Sequence, residues 1–266
     1  MTSLDEFSKV HLEDGVLRIT VSSAANGTSL DGEAMRQGAT ALSAVGGEIG
    51  SVLLAGDGPN FCAGGNVRAF ASAPVRSDYV GDVAREFHEF VRALDAVTVP
   101  VVAGVHGWAA GAGMSLVCLA DIAIGGPSTK LRPAYPSIGF TPDGGMSWTL
   151  PRIVGIVRAR EILLTDAVLS GDEAVRLGIL SRLVGDDVVQ DEALRLARTL
   201  AAGPTSSYTG IKTLLHAAGT RTLSEQLDAE AASIAAAADS PVGREGVDAF
   251  VEKRRADFST AKQTTA

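Results

Sequence analysis

The chain has 266 residues, 46% hydrophobic and 20% charged, enough apolar material for one large domain or one domain with an appendage. A formal net charge of −8 removes any electrostatic basis for nonspecific nucleic-acid binding. Thirty glycines with only 5% aromatic residues suit close packing of helices on strands.

The cysteines, Cys62 and Cys118, sit in apolar runs without metal-type spacing and read as buried thiols. Residues 1–6 lack a basic stretch followed by an apolar one, so no signal peptide is expected and the protein reads as cytoplasmic. Residues 97–120 are apolar and long enough to cross a bilayer. Pro100, His106 and four glycines interrupt them, so a strand, a turn and a buried helix explain them better, and no membrane partner is expected.

In chain order, residues 15–21 alternate apolar and polar side chains like a strand. A helix is predicted over 31–45 and a strand over 51–54. Ser77 is predicted to cap a helix running to about residue 97, with Val80, Val83, Phe87, Phe90 and Leu94 on one face. A strand over 99–105 feeds a helix over 113–119. Strands near 122–124 and 180–184 bracket a helical middle. There Ser170-Gly171-Asp172-Glu173 reads as a capping box and Gly178 as a stop. From about residue 186 strand signals vanish. Three helices are predicted, the last opened by Ser240-Pro241, closing near residue 256 and carrying Lys253-Arg254-Arg255 on a solvated face. Strands alternating with helices, then helices alone, predict an α/β core followed by a helical C-terminal subdomain. No internal repeat is visible.

Two short stretches carry the functional signal: Phe61-Cys62-Ala63-Gly64-Gly65 and Gly107-Trp108-Ala109-Ala110-Gly111-Ala112-Gly113. Each follows an apolar run and is too poor in side chains for side-chain chemistry. Such segments offer bare backbone whose N–H groups can face a ligand. On neighbouring strands they could aim two amides at one oxygen, the geometry of an oxyanion hole.

These residues resemble the enoyl-CoA hydratase/isomerase (crotonase) superfamily over nearly the whole chain. Further anchors are Pro142-Asp143-Gly144 through Leu150-Pro151-Arg152, and Gly243-Arg244-Glu245-Gly246 through Lys253-Arg254-Arg255. The resemblance implies a spiral of ββα units over 1–200 bearing the CoA and catalytic site. It implies a helical subdomain over 201–266 for trimerisation and pocket closure, in a homotrimer or dimer of trimers. The substrate would be an acyl-CoA, with coenzyme A carried by the substrate and no separate cofactor or metal.

By the same resemblance, the oxyanion donors are the backbone N–H groups of Gly65 and Ala112. The two glutamates of a hydratase are replaced by Ser115 and Tyr135, so ordinary hydration is expected to be weak or absent. Asp143 matches the catalytic aspartate of family members that move double bonds, with Phe140, Trp148 and Leu150 expected to shield it. Backbone groups at Ala25, Ala63 and Val67 would hold coenzyme A, Lys253 its phosphates, and Phe250 would line the acyl pocket. The early loop at 23–27 lacks the basic residue often found there.

Taken alone, Pro142-Asp143-Gly144 is also an ordinary surface turn. Asp143 with His88 keeps open an aryl-CoA dehalogenase or hydrolase in which Asp143 is the nucleophile, and a CoA-binding homologue without catalysis also stays open. His106 reads as structural. A dinucleotide enzyme is disfavoured because Gly111-Ala112-Gly113 lacks the third glycine and the acidic partner, and no Gly-x-Ser-x-Gly elbow marks a serine hydrolase.

Overall fold

The computed structural model describes residues 7–44 and 48–259. Residues 1–6, on which the signal-peptide expectation rests, and residue 45 of the first predicted helix lie outside the described residues.

The chain opens with a hairpin. β1 (Val10–Glu13) pairs antiparallel with β2 (Val16–Thr20), Val10 opposite Ile19. Asp14 and Gly15 make its turn with φ of 51° and 72°, the backbone an Asp-Gly pair favours, so β1 was signalled in a sequence that read only the second strand. β3 (Ser22–Ser23) and β4 (Ser29–Leu30) form a small ladder around a 3₁₀ turn at Ala24–Asn26. α1 (Gly32–Ser43) starts at Asp31, whose carboxylate accepts from the Glu33 and Ala34 amides.

A strand–strand–helix turn then recurs. β5 (Ser51–Ala55) runs to an extended segment at Cys62, then to α2 (Val67–Ser72) and α3 (Arg76–Ala96). β6 (Val101–Val105) runs to β7 (Trp108–Ala110) and α4 (Ala112–Leu119). β8 (Ile122–Gly125) runs to β9 (Lys130–Arg132), then α5 (Met146–Val154) and α6 (Ile156–Leu164). β10 (Leu169–Ser170) and α7 (Gly171–Arg176) precede β11 (Arg182–Leu183). The larger sheet has the order β1-β2-β5-β6-β8-β11, parallel from β2 onward; the smaller has the order β10-β9-β7. Cys62 bridges Ala109 in parallel, and β7 pairs parallel with β9. The turns from β6 and β8 each add one strand to each sheet, and the turn from β5 meets the smaller sheet through the Cys62 bridge, which makes the expected spiral of ββα units. The segment that could have spanned a bilayer is β6, β7 and α4; among the described residues no helix is long and apolar enough to cross a membrane.

The larger sheet is buried on both faces, so its strands read as continuous apolar runs. Leu17, Ile19, Val52, Leu54, Val101 and Ala103 join the main core with Phe87, Phe90 and Leu94 of α3. Val16, Leu53, Val102 and Ile124 face the opposite way, onto α8 (Val189–Ala201), which presents Ala193, Ala197 and Ala201. These small side chains at four-residue spacing let α8 lie close: a Cβ on Gly50 would stand 2.7 Å from the Ala201 backbone. The buried Ser51 hydroxyl donates to the Ala197 carbonyl at 2.8 Å, tying sheet to helix. Ser51→Ala is expected to cost about 1 kcal/mol, read from urea denaturation.

Three expectations need correcting. Ser77 lies inside α3 and bonds Asp78, while the N-cap is Val75 without a side-chain bond. Four helices, not three, follow residue 186: α8, α9 (Thr205–Ala218), α10 (Leu223–Asp239) and α11 (Pro241–Val251). α11 starts at its Ser240 cap as expected but ends at Val251, so Lys253-Arg254-Arg255 lies beyond it. Lys253 takes φ 56°, and Arg254 turns back to pair with Glu245 and Glu252. The Ser170–Glu173 capping box and the Gly178 stop, at φ 76°, are present.

Candidate active site

The spiral brings the two glycine loops together. The Cys62 N–H donates to the Trp108 carbonyl at 3.1 Å, and the Ala110 N–H to the Cys62 carbonyl at 2.9 Å. Gly64 and Gly111 turn at φ 93° and 52°, and a Cβ on Gly111 would stand 3.6 Å from the Gly64 Cα. A Cβ on Gly113 would fall 2.2 Å from the Cys62 carbonyl oxygen, so the contact between the loops needs glycine there. Among the described residues, neither the Gly65 nor the Ala112 N–H donates to a protein group. Ala112 opens α4, where first-turn amides have no intrahelical acceptor and carry partial positive charge. Burial pushes both thiols up to about 12, which suits the inert role expected of Cys62 and Cys118.

Asp143 sits over the first turn of α4. The Ser115 hydroxyl, one turn into that helix, donates to the Asp143 carbonyl at 3.0 Å and lies 3.2 Å from the Tyr135 hydroxyl. Tyr135 donates to Asp143 Oδ1 at 2.6 Å. The next amide, Gly144 N–H, donates to His88 Nε2 at 3.2 Å. That ring nitrogen is therefore an acceptor already in use, which weighs against His88 as a base beside Asp143. His106 bridges the Gly58 carbonyl and Gln190, in keeping with its structural reading.

Burial, followed by the adjacent Asp143 carboxylate, pushes the Tyr135 phenol far above its ordinary value, so it stays protonated as a donor. Tyr135 is reached through a sharp reversal, with Ala134 at φ 62°. Asp166 holds that reversal: its carboxylate accepts from the Ala134 N–H at 2.7 Å and from the Arg132 Nε and Nη2 at 3.0 and 2.6 Å. Burial pushes the Asp166 carboxyl up, but the Arg132 and Ala134 bonds outweigh it and hold it below its ordinary value of 3.8. A carboxyl depressed in the folded state stabilises fully above 3.8, and that contribution is lost as pH falls through the lower folded-state value. Asp166→Asn is expected to cost about 1–3 kcal/mol at pH 7, with the gap to wild type shrinking below pH 3.8, read by denaturation across pH.

Near these groups stand two aromatic rings that the sequence did not assign, Phe70 and Tyr79. A Cβ on Gly65 would meet the Phe70 ring at 2.7 Å. Phe70 stacks on Phe140 and meets Tyr79 edge-on, each at 6.2 Å between centroids. Of the residues expected to shield Asp143, Leu150 is fully buried and Phe140 is 41% exposed within this cluster. Trp148 turns away: it is 49% exposed, carries the Arg152 guanidinium 3.7 Å from its ring centroid, and lines a separate groove with Leu94, Cys118 and Lys212.

Ala25, Ala63 and Val67 lie exposed along one rim. The Ala63 N–H donates to the Thr28 carbonyl and the Leu30 N–H to the Gly64 carbonyl, at 2.8 Å each, which ties the early loop to the first glycine loop. Val67 opens α2 after the Asn66 cap. Phe250, near the end of α11, and Lys253, just beyond it, are both exposed. Among the described residues no hydrogen bond or ion pair joins them to the glycine loops. The groups the sequence reading passed over are Ser115 and Tyr135, read there only as replacements for glutamates. Their one signal was position: Ser115 one turn after Gly111, and Tyr135 eight residues before Asp143.

A spiral of ββα units carrying two facing glycine loops defines the class, an acyl-CoA enzyme with the crotonase fold. The chain belongs to the enoyl-CoA hydratase/isomerase family, whose model matches residues 11–261. It is similar to the 1,2-epoxyphenylacetyl-CoA isomerase of Escherichia coli K12, 37% identical over 261 residues that cover 96% of this chain and 98% of that protein. A crystal structure of an enoyl-CoA hydratase from Polaromonas sp. JS666 matches with a TM-score of 0.86 and 31% identity, covering 94% of this chain and 98% of that one. The 4-chlorobenzoyl coenzyme A dehalogenase-1 of an Arthrobacter species is more distant, 28% identical over 94% of this chain and 92% of its own length.

Proposed function

We propose that this enzyme moves a double bond within an enoyl-CoA, with Asp143 as the single proton carrier and the Gly65 and Ala112 amides holding the enolate oxygen. The observation that carries this reading is Asp143 over the start of α4, its carboxylate and main chain bonded by hydroxyls at the positions where the resemblance implies a hydratase's glutamates. Ser115 and Tyr135 are bonded to Asp143 and to each other, and neither hydroxyl is a base near neutral pH.

Asp143 takes a proton from one carbon of the acyl chain, and the electron pair moves onto the thioester oxygen. The two amides stabilise that charge as it forms, an effect on the order of 3–4 kcal/mol per donor. The proton then returns two carbons away and the carbonyl re-forms, with no water consumed.

The Phe70, Tyr79 and Phe140 cluster beside Gly65, together with the similarity to an epoxyphenylacetyl-CoA isomerase, supports a ring-bearing acyl group. Backbone groups at Ala25, Ala63 and Val67 would bind coenzyme A along the exposed rim. The helices of residues 201–266 expose Leu215, Leu223, Ile234, Phe250 and Val251, which supports subunit contacts of a homotrimer or dimer of trimers. Lys253 would then act at the CoA phosphates from that helical region.

The test is to incubate the enzyme with 3-enoyl-CoA and 2-enoyl-CoA substrates, following double-bond migration and hydration together. Migration without hydration is the expected result. Hydration as the main reaction would overturn the reading, and halide release from a chlorinated aryl-CoA would point to Asp143 as a nucleophile.

A further inference from the structure

A carboxylate that serves as sole proton carrier has two oxygens, and the structure treats them differently. Oδ1 of Asp143 accepts the Tyr135 hydroxyl at 2.6 Å, whereas no hydrogen bond to Oδ2 is found among the described residues. We propose that Tyr135 is the positioning residue of the proton shuttle: it binds Oδ1, fixes the plane of the carboxylate, and leaves Oδ2 as the one atom that takes and returns the proton. The inference rests on the isomerase reading above and goes beyond it to the individual atom.

Three further contacts support this role. Ser115 holds the Asp143 carbonyl at 3.0 Å while touching the Tyr135 hydroxyl at 3.2 Å, so tyrosine and aspartate share one anchor on α4. His88 holds the next amide, at Gly144. Gly144 itself has no room to shift: a Cβ there would meet the Phe87 ring at 2.3 Å and the Ser115 Cβ at 3.0 Å. With main chain and Oδ1 both held, rotation of the carboxyl group, which would carry the proton away from the substrate, is opposed. Tyr135 is only 8% exposed and stays protonated, so it donates throughout the working range and does not compete for the substrate proton. A 1,3-shift on one face asks a single carboxylate to reach two carbons, and with Oδ1 held by Tyr135 that work falls to Oδ2. A freely turning carboxylate would instead offer its proton to solvent.

The experiment compares wild type, Tyr135→Phe and Asp143→Asn. Each is followed by double-bond migration and by proton NMR for the downfield hydroxyl resonance of a short Tyr–carboxylate bond. The expected result is a resonance in wild type that is lost in both variants. Tyr135→Phe should lower kcat about 10- to 100-fold with KM near the wild-type value, the split expected when a group that positions the reacting atom is lost.

Tyr135→Phe with wild-type kcat would overturn the positioning role while leaving the isomerase reading intact, and so would a missing resonance in active wild type. No migration by wild type, with the resonance present, would overturn the isomerase reading and leave the Tyr135–Asp143 bond standing. Ser115→Ala keeps the tyrosine and guards against a folding artefact. It is expected to give a smaller fall in kcat with the resonance retained, and a loss as large as that of Tyr135→Phe with the resonance intact would count against the proposal.

Discussion

Asp143→Asn is expected to lower the rate of double-bond migration by about 10²- to 10⁴-fold, the range a positioned acid–base group contributes. The substitution is informative because it removes so little else. An asparagine keeps an oxygen able to accept the Tyr135 hydroxyl that Oδ1 accepts at 2.6 Å, and the main-chain bonds from Ser115 and to His88 do not involve the side chain. The melting temperature should therefore stay close to wild type while the proton carrier is gone. Retained migration in Asp143→Asn, assayed with 3-enoyl-CoA, would show that another group moves the proton.

Gly113→Ala should be nearly as damaging to turnover, for a different reason. The added methyl group would begin 2.2 Å from the Cys62 carbonyl oxygen and 2.9 Å from the Cys62 Cβ, with backbone rather than a flexible side chain in the way. The φ of Gly113 is not in the left-handed region, so backbone preference adds nothing and the cost is contact alone. Relieving it means parting the loops that Cys62 and Ala110 hold together. Overpacking of this kind costs about 1–3 kcal/mol of stability. Misplacing one oxyanion donor should lower kcat by about 10²- to 10³-fold. Gly219→Ala at the end of α9 is the control, because a Cβ there meets nothing within 4 Å. Equal kcat values for the two variants would show that the loop contact does not set the rate.

Much of the architecture was legible in the chain, because it rests on local preferences. The Ser170–Glu173 capping box, the Gly178 stop and the Ser240-Pro241 helix start each lie within a few residues, and all three appear as read. The differences are also local: Asp14-Gly15 carries the hairpin signal for β1, and Ser77 resembles a cap although the cap position lies two residues earlier, at Val75. The stripe of alanines on α8 packs against the sheet, but its four-residue spacing in a polar helix is a weak signal of that contact.

By itself the sequence determined an acidic, apolar-cored α/β chain of this family, two glycine loops after buried strands, and one aspartate where relatives that move double bonds carry theirs. Backbone preference and spacing along the chain suffice for the α/β alternation and the glycine loops, whereas the family and the aspartate's place in it are what the resemblance implies. What only the tertiary structure decided is convergence. The ββα turns repeat in space without repeating in sequence, because parallel pairing constrains backbone direction and burial but not residue identity. Tyr135 and Asp143 come from the connection between β9 and α5, Ser115 from α4 and His88 from α3, and nothing along the chain says that one hydroxyl binds one oxygen of one carboxylate. That follows from the sharp turn at Ala134, held by Asp166, and from the packing of Phe87 against Gly144, contacts between residues far apart in sequence.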